Sequence, residues 1–201
     1  MTESIPHSAD ILLVGINIST DSANNGALWS SQRSPWNVWK KAGIFKDYPD
    51  DLTSAVKCCN LEKYTNGFQV GFTDLVDIAE TNSNRVKIEN TASEELMKKI
   101  EDNKVKNVVL MGDRVIQTFF SGIHNDLCDK WKKMQKNKVS YGKHKKKYHP
   151  EYGFIGKMSI NAHEVAIYGM PFPTTVPIKD KYKFYEKMVS EIKNNDSKFL
   201  Y

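Results

Sequence analysis

Short apolar runs and longer amphipathic stretches alternate along this chain. Leu12 to Ile16 is an apolar run bounded by polar residues, and similar runs recur at Val70 to Val76, Val108 to Met111 and Val165 to Met170. Runs of this length without strict alternation belong to strands covered on both faces. Between them, Trp36 to Ala42, Asp51 to Tyr64, Ser93 to Asn103 and Arg114 to Phe120 place apolar residues at spacings of three and four, as Lys179 to Lys193 does after the last run. Ser93, ahead of Glu95 and Leu96, and Asp50, ahead of Leu52, read as helix starts. Strands alternating with helices predict an α/β fold: a three-layer α/β/α sandwich around a mainly parallel four-stranded sheet.

A chain of 201 residues buries a sizeable core as one domain spanning 1–201. No stretch approaches the roughly 18 apolar residues of a membrane span, so no membrane partner is expected. Residues 1 to 10 lack the basic and apolar regions of a secretion signal. The expected location is therefore intracellular, in the cytoplasm, nucleoid or nucleus. Cys58, Cys59 and Cys128 form no C-x-x-C pair and cannot supply four thiolates to a metal. They read as reduced structural residues, with no metal or other cofactor expected.

The net charge of +5 is unevenly spread. Residues 130 to 150 hold nine lysines and no acid, leaving 20 basic against 24 acidic residues elsewhere. This segment, between the third and fourth strands, reads as a lysine-rich inserted loop at about 128–152. Lysines interleaved with Trp131, Tyr141 and Tyr148 suit phosphate contact, with affinity that falls as salt rises. A solvated surface loop is the alternative.

In open α/β sheets the ligand crevice lies beyond the carboxyl ends of the strands. Four segments fall there: "GINIST", "GFTDLV", "LMGDRV" and "GMPFPTT". Their order and spacing, with the C-terminal "KDKYKFYEKM" helix, resemble the uracil-DNA glycosylase superfamily, specifically its mismatch-specific uracil and thymine branch. The resemblance covers roughly residues 10 to 193. It implies an enzyme that flips a nucleotide out of the duplex and hydrolyses the bond between base and deoxyribose.

Asn17 occupies the position that the resemblance assigns to positioning the attacking water. A neutral amide suits that task because it holds water by one carbonyl acceptor and one amide donor, without adding charge beside a cationic sugar and an anionic leaving base. A tight-turn role for Asn17 is the alternative. Asp74 takes the position facing the base or the water, as a general base or as an acceptor for an amino-bearing base edge; a solvated strand-end role is the plainer reading. Trp29, twelve residues after Asn17, stands where the family stacks an aromatic on the flipped base, unless it is a core anchor. Ile16, Ser19 and Phe72 complete the implied base contacts, with backbone amides near Ile16 and Ser19 stabilising the departing anion. In "GMPFPTTVP", Thr174 and Thr175 correspond to phosphate contacts and Val176 to the wedge that fills the gap in the stack. Lys143, Lys145, Lys146 and Lys147 are the DNA contacts expected from the basic segment.

The chain departs from the family pattern at Phe172 and Pro173, where serine or glycine is usual. It departs again at Asp77 to Glu80, where an arginine and threonines are common. The last strand motif carries no histidine, and His163 reads as a strand or loop residue. The function implied is a monomeric, metal-free, monofunctional glycosylase acting on uracil, thymine or a modified cytosine in DNA that is double-stranded with a flipped base, or single-stranded. A catalytically inactive DNA-binding module of the same fold is the alternative. A nucleotide-binding enzyme is poorly supported, since no glycine-rich phosphate loop follows the first strand.

Overall fold

The computed structural model describes residues 3–89, 91–121, 123, 126–136, 139–141, 146–148, 152–174 and 180–197. In chain order the elements are β1 (Ile11–Asn17), α1 (Thr20–Asn24), α2 (Ser34–Lys41), α3 (Leu52–Cys58), β2 (Val70–Val76), α4 (Ala92–Asp102), β3 (Asn107–Met111) and α5 (Asp113–Ser121). They continue with α6 (Asp126–Lys136), β4 (Val139–Tyr141), β5 (Lys146–Tyr148), β6 (Gly153–Ile160), β7 (His163–Met170) and α7 (Tyr182–Ser197).

The main sheet has five strands in the order β2-β1-β3-β7-β6. The four expected strands run parallel, and β6 adds to β7 antiparallel. The apolar pattern does not reveal β6 because exposed Phe154, Lys157 and Ser159 alternate with buried or half-buried positions along it, so no continuous apolar run appears. β4 and β5 form a separate antiparallel pair.

Alternation along β1 assigns the two faces of the sheet. Ile11 and Leu13 join a core with Trp36, Trp39, Val56, Tyr185 and Met188, from α2, α3 and α7. Leu12 and Val14 join the other core with Leu96, Ile100, Ile116, Phe119 and Trp131, from α4, α5 and α6. These are the two outer layers of the expected sandwich.

Three local expectations are corrected. Asp51, not Asp50, caps α3, accepting from the Thr53 amide at 2.9 Å. Ser93 lies inside α4, where its hydroxyl donates to the Thr118 carbonyl at 2.9 Å. The first part of the lysine-rich segment is a helix rather than a loop. Leu127, Trp131 and Met134 fall on one face of α6, and Trp131 is buried in the second core, 3.3 Å from where a side chain on Gly169 would begin. Trp131 is thus a core anchor. His163 opens β7, with its Nε2 at 2.7 Å from the Val105 carbonyl.

Candidate active site

Because β1, β2, β3 and β7 are parallel, their last residues gather at one end of the sheet. A cavity of about 360 Å³ opens there, between the loops that follow these strands. A concave site of this size at the carboxyl edge is where the fold places a ligand.

The floor is built by β1 and β2. Gly15 pairs with Asp74 and Asn17 with Val76, so Asp74 and Asn17 project from the same face of neighbouring strands, one pleat apart. Both line the cavity. Gly15 is required by its partner: a Cβ there would lie 2.1 Å from Asp74 Oδ1 and 3.1 Å from Trp29 Cζ2. Asp74 is therefore seated over bare backbone, and the edge of the Trp29 indole closes over the same glycine.

Asn17 is fixed by main-chain carbonyls. Its Nδ2 donates to Glu80 at 2.6 Å, Ile18 at 2.9 Å and Ile78 at 3.2 Å. Three carbonyl oxygens around one amide end determine which way the amide faces. The donor is consumed, and Oδ1 is the group that remains to accept from a ligand. The expectation that Asn17 holds water through both donor and acceptor is corrected accordingly.

Asp74 is 9% exposed, and its Oδ1 has no hydrogen-bond partner among the described residues. Burial, reinforced by the negative charge of Glu3 and offset in part by Lys99, pushes its carboxyl up to about 7. It is a buried acid that changes charge near neutrality. The solvated strand-end reading does not hold.

Trp29 has φ of 58°, a left-handed conformation uncommon for a bulky residue. Its carbonyl accepts from Trp36 Nε1 at 2.9 Å, and its ring meets Trp39 edge-on at 5.4 Å. It also packs against Phe172, with ring centroids 5.7 Å apart, and lines the cavity. Trp29 is both anchored to the core and presented to the site. Ile16 and Ser19 also line the cavity; Ser19 caps α1 and lies 3.2 Å from the Ser31 hydroxyl. Phe72 does not line it. Two residues earlier on β2, it is fully buried among Trp36, Trp39 and Phe45 and is a core residue.

Phe172 closes the wall beside β3. Its Cβ lies 3.4 Å from where a side chain on Gly112 would begin, and Gly112 itself has φ of 93°. Thr174 lines the cavity. Thr175, Val176, Lys143 and Lys145 lie outside the described residues, and Lys146 and Lys147 stand on β5.

Several site residues carry no signal in the sequence. Arg114, on the first turn of α5, lines the cavity and sends its guanidinium fork to the carbonyls of Ser83 and of Val86, the latter at 2.6 Å. Asp113 accepts from the Tyr152 hydroxyl at 2.9 Å, and Glu80 caps the Asn82 amide at 2.8 Å. "LMGDRV" marks a strand end in the sequence, but only the fold shows that its arginine holds a loop. Among the described residues, no cluster of three or more metal-ligating side chains occurs, and no helix is long and apolar enough to cross a membrane.

No curated protein matches the chain at a significant level. Over residues 2–181 the sequence matches the Uracil DNA glycosylase superfamily, whose members typically hydrolyse N-glycosidic bonds in DNA during base excision repair. A neutral amide, a buried carboxyl and an aromatic around one strand-end cavity fit that match, which spans most of the chain, and the chain belongs to the Uracil DNA glycosylase superfamily.

Proposed function

We propose that this chain is a monofunctional DNA glycosylase of the mismatch-specific uracil and thymine type. It draws a damaged, mismatched or modified pyrimidine out of DNA into the 360 Å³ cavity and hydrolyses its bond to deoxyribose. The observation that carries this reading is the placement of Asn17 and Asp74 on one face, one pleat apart, beside Trp29.

Asn17 Oδ1 accepts a hydrogen bond from the attacking water and orients its lone pair towards C1′. Asp74, ionised, takes the proton as the water oxygen bonds to C1′. The C1′–N bond breaks with its electron pair passing to the base, which leaves as an anion and then takes up a proton. Backbone amides near Ile16 and Ser19, both of which line the cavity, stabilise that anion. The Trp29 ring covers the base, a contact worth roughly 1–3 kcal/mol. No lysine is among the described residues lining the cavity, which supports hydrolysis rather than a Schiff-base lyase step. Thr174 and Thr175 bind backbone phosphate, Val176 enters the stack, and Lys143, Lys145, Lys146 and Lys147 contribute non-specific affinity. The protein acts as an intracellular monomer.

The test is base release from oligonucleotides carrying uracil, mismatched thymine or modified cytosines, compared with Asn17→Ala. Release that is lost in the variant while DNA binding persists supports the reading. Salt-sensitive binding without release from any substrate would indicate a DNA-binding relative that has lost its chemistry.

A further inference from the structure

Asp74 stands between two cavities. One is the base pocket; the other, of about 350 Å³, lies where the end of β2 meets α4 and the N-terminal arm. Its walls include Glu3, Leu28, Asp77 and Lys99, none of which lines the base pocket. Asp74 and Ile18 are shared by both.

This second cavity has an organised charged wall. Glu3 accepts from the Thr73 hydroxyl at 2.8 Å and pairs with Lys99, which also lies 3.4 Å from that hydroxyl. Thr73 is fully buried on β2, next to Asp74 in sequence. The arm that carries Glu3 is held by main-chain bonds: the Phe72 amide donates to the Ser4 carbonyl at 2.8 Å, and the Ser4 amide to the Phe72 carbonyl at 3.3 Å. Side chains that are 41% and 31% exposed gain little stability from pairing, so stability alone is a weak reason for this arrangement.

The charges that face Asp74 act in opposite directions. Glu3 from the arm and Asp77 from the end of β2 oppose its ionisation, whereas Lys99 from α4 favours it. On the base-pocket side stand Glu80, Asp113 and Arg114, each engaged with a loop or a neighbouring side chain. We infer that Glu3 and Lys99, reaching Asp74 through the second cavity, are positioning residues of the reaction: from behind the base pocket they set the fraction of Asp74 ready to accept a proton from water. The inference deepens the glycosylase reading and rests on it. A base that works near neutral pH needs its proton affinity held close to the ambient value, and a pair of opposite charges of fixed geometry holds it there.

The experiment has two readouts on the 201-residue chain. The first follows the Asp74 carboxyl carbon by nuclear magnetic resonance as pH is raised, without DNA, in the wild type, Glu3→Gln, Lys99→Met and Lys99→Arg. The second follows single-turnover base release across the same pH range. Glu3→Gln should move both midpoints down and Lys99→Met should move both up, each by roughly half a pH unit, with Lys99→Arg restoring the wild-type value and the plateau rates unchanged. Midpoints that stay fixed, or that move the same way in both variants, would overturn the inference. Absence of base release from the wild type on every substrate would overturn the glycosylase reading instead, and the carboxyl titration would still decide whether the second cavity governs Asp74.

Discussion

Gly15 and Asp74 face each other across the β1–β2 pair so closely that a Cβ on Gly15 would fall 2.1 Å from the carboxyl oxygen. The absence of a side chain at one residue is what seats the other. Gly15→Ala should displace Asp74 into the cavity or force the strands apart. The expected cost is about 1–3 kcal/mol of stability, seen in urea denaturation, with at least a tenfold drop in base release. An unchanged rate would mean that Asp74 need not occupy this seat.

Asp74 also makes stability depend on pH, in a direction opposite to that of most carboxylates. Its proton is lost near 3.8 in the unfolded chain and near 7 in the native one. The native state therefore binds more protons across this window, and stability falls as pH rises from about 4 to about 7, then levels off. Asp74→Asn removes the dependence. At pH 8 the variant should be more stable than the wild type by roughly 2–4 kcal/mol, while base release collapses. In the wild type, base release should climb with pH through about 7 as the carboxyl ionises.

Asn17→Asp tests the carbonyl clamp. A carboxylate would face the oxygens of Ile18, Ile78 and Glu80 with no hydrogen to offer. Loosening of the 78–80 loop should follow, read as faster amide exchange there, together with a loss of roughly a hundredfold or more in single-turnover rate. Asn17→Ala should lose the rate while retaining DNA affinity.

Phe172 is expected to govern which base fits. Replacing it by serine opens the wall between Gly112 and Trp29. Release of pyrimidines bearing a group at carbon 5 should rise about tenfold relative to uracil, the effect of roughly one methylene-sized fit. Competition between the two substrates in one reaction measures the ratio directly.

Exchanging Lys143, Lys145, Lys146 and Lys147 for glutamine should flatten the salt dependence of DNA binding, by roughly 0.7–0.9 in logarithmic slope for each phosphate that is no longer neutralised. The single-turnover rate at saturating enzyme should not change.

The parts of the molecule legible in the sequence are those written in contiguous residues. β1, β2, β3 and β7 announce themselves because they are covered on both faces, and Asn17, Asp74 and Trp29 stand at or near their ends. β6 stays hidden because exposed residues interrupt its buried ones, and α6 because its nine-lysine surroundings mask the spacing of Leu127, Trp131 and Met134. Phe72 shows the limit of placing roles by motif alone: it shares a strand face with Asp74, yet two residues of β2 carry it from the cavity into the core. The Glu3–Lys99 pair joins residues 96 positions apart, a pairing that no local pattern encodes.

The clamp on Asn17 explains why the chain tolerates an unusual sequence after β2. What Ile78 and Glu80 give to Asn17 is main-chain oxygen, and every residue type carries one. Side-chain changes from Asp77 to Ala79 leave that contribution in place, whereas the Glu80 carboxylate also holds the loop through the Asn82 amide. The acidic residues at these positions are thus compatible with an Asn17 amide gripped by main-chain oxygen alone.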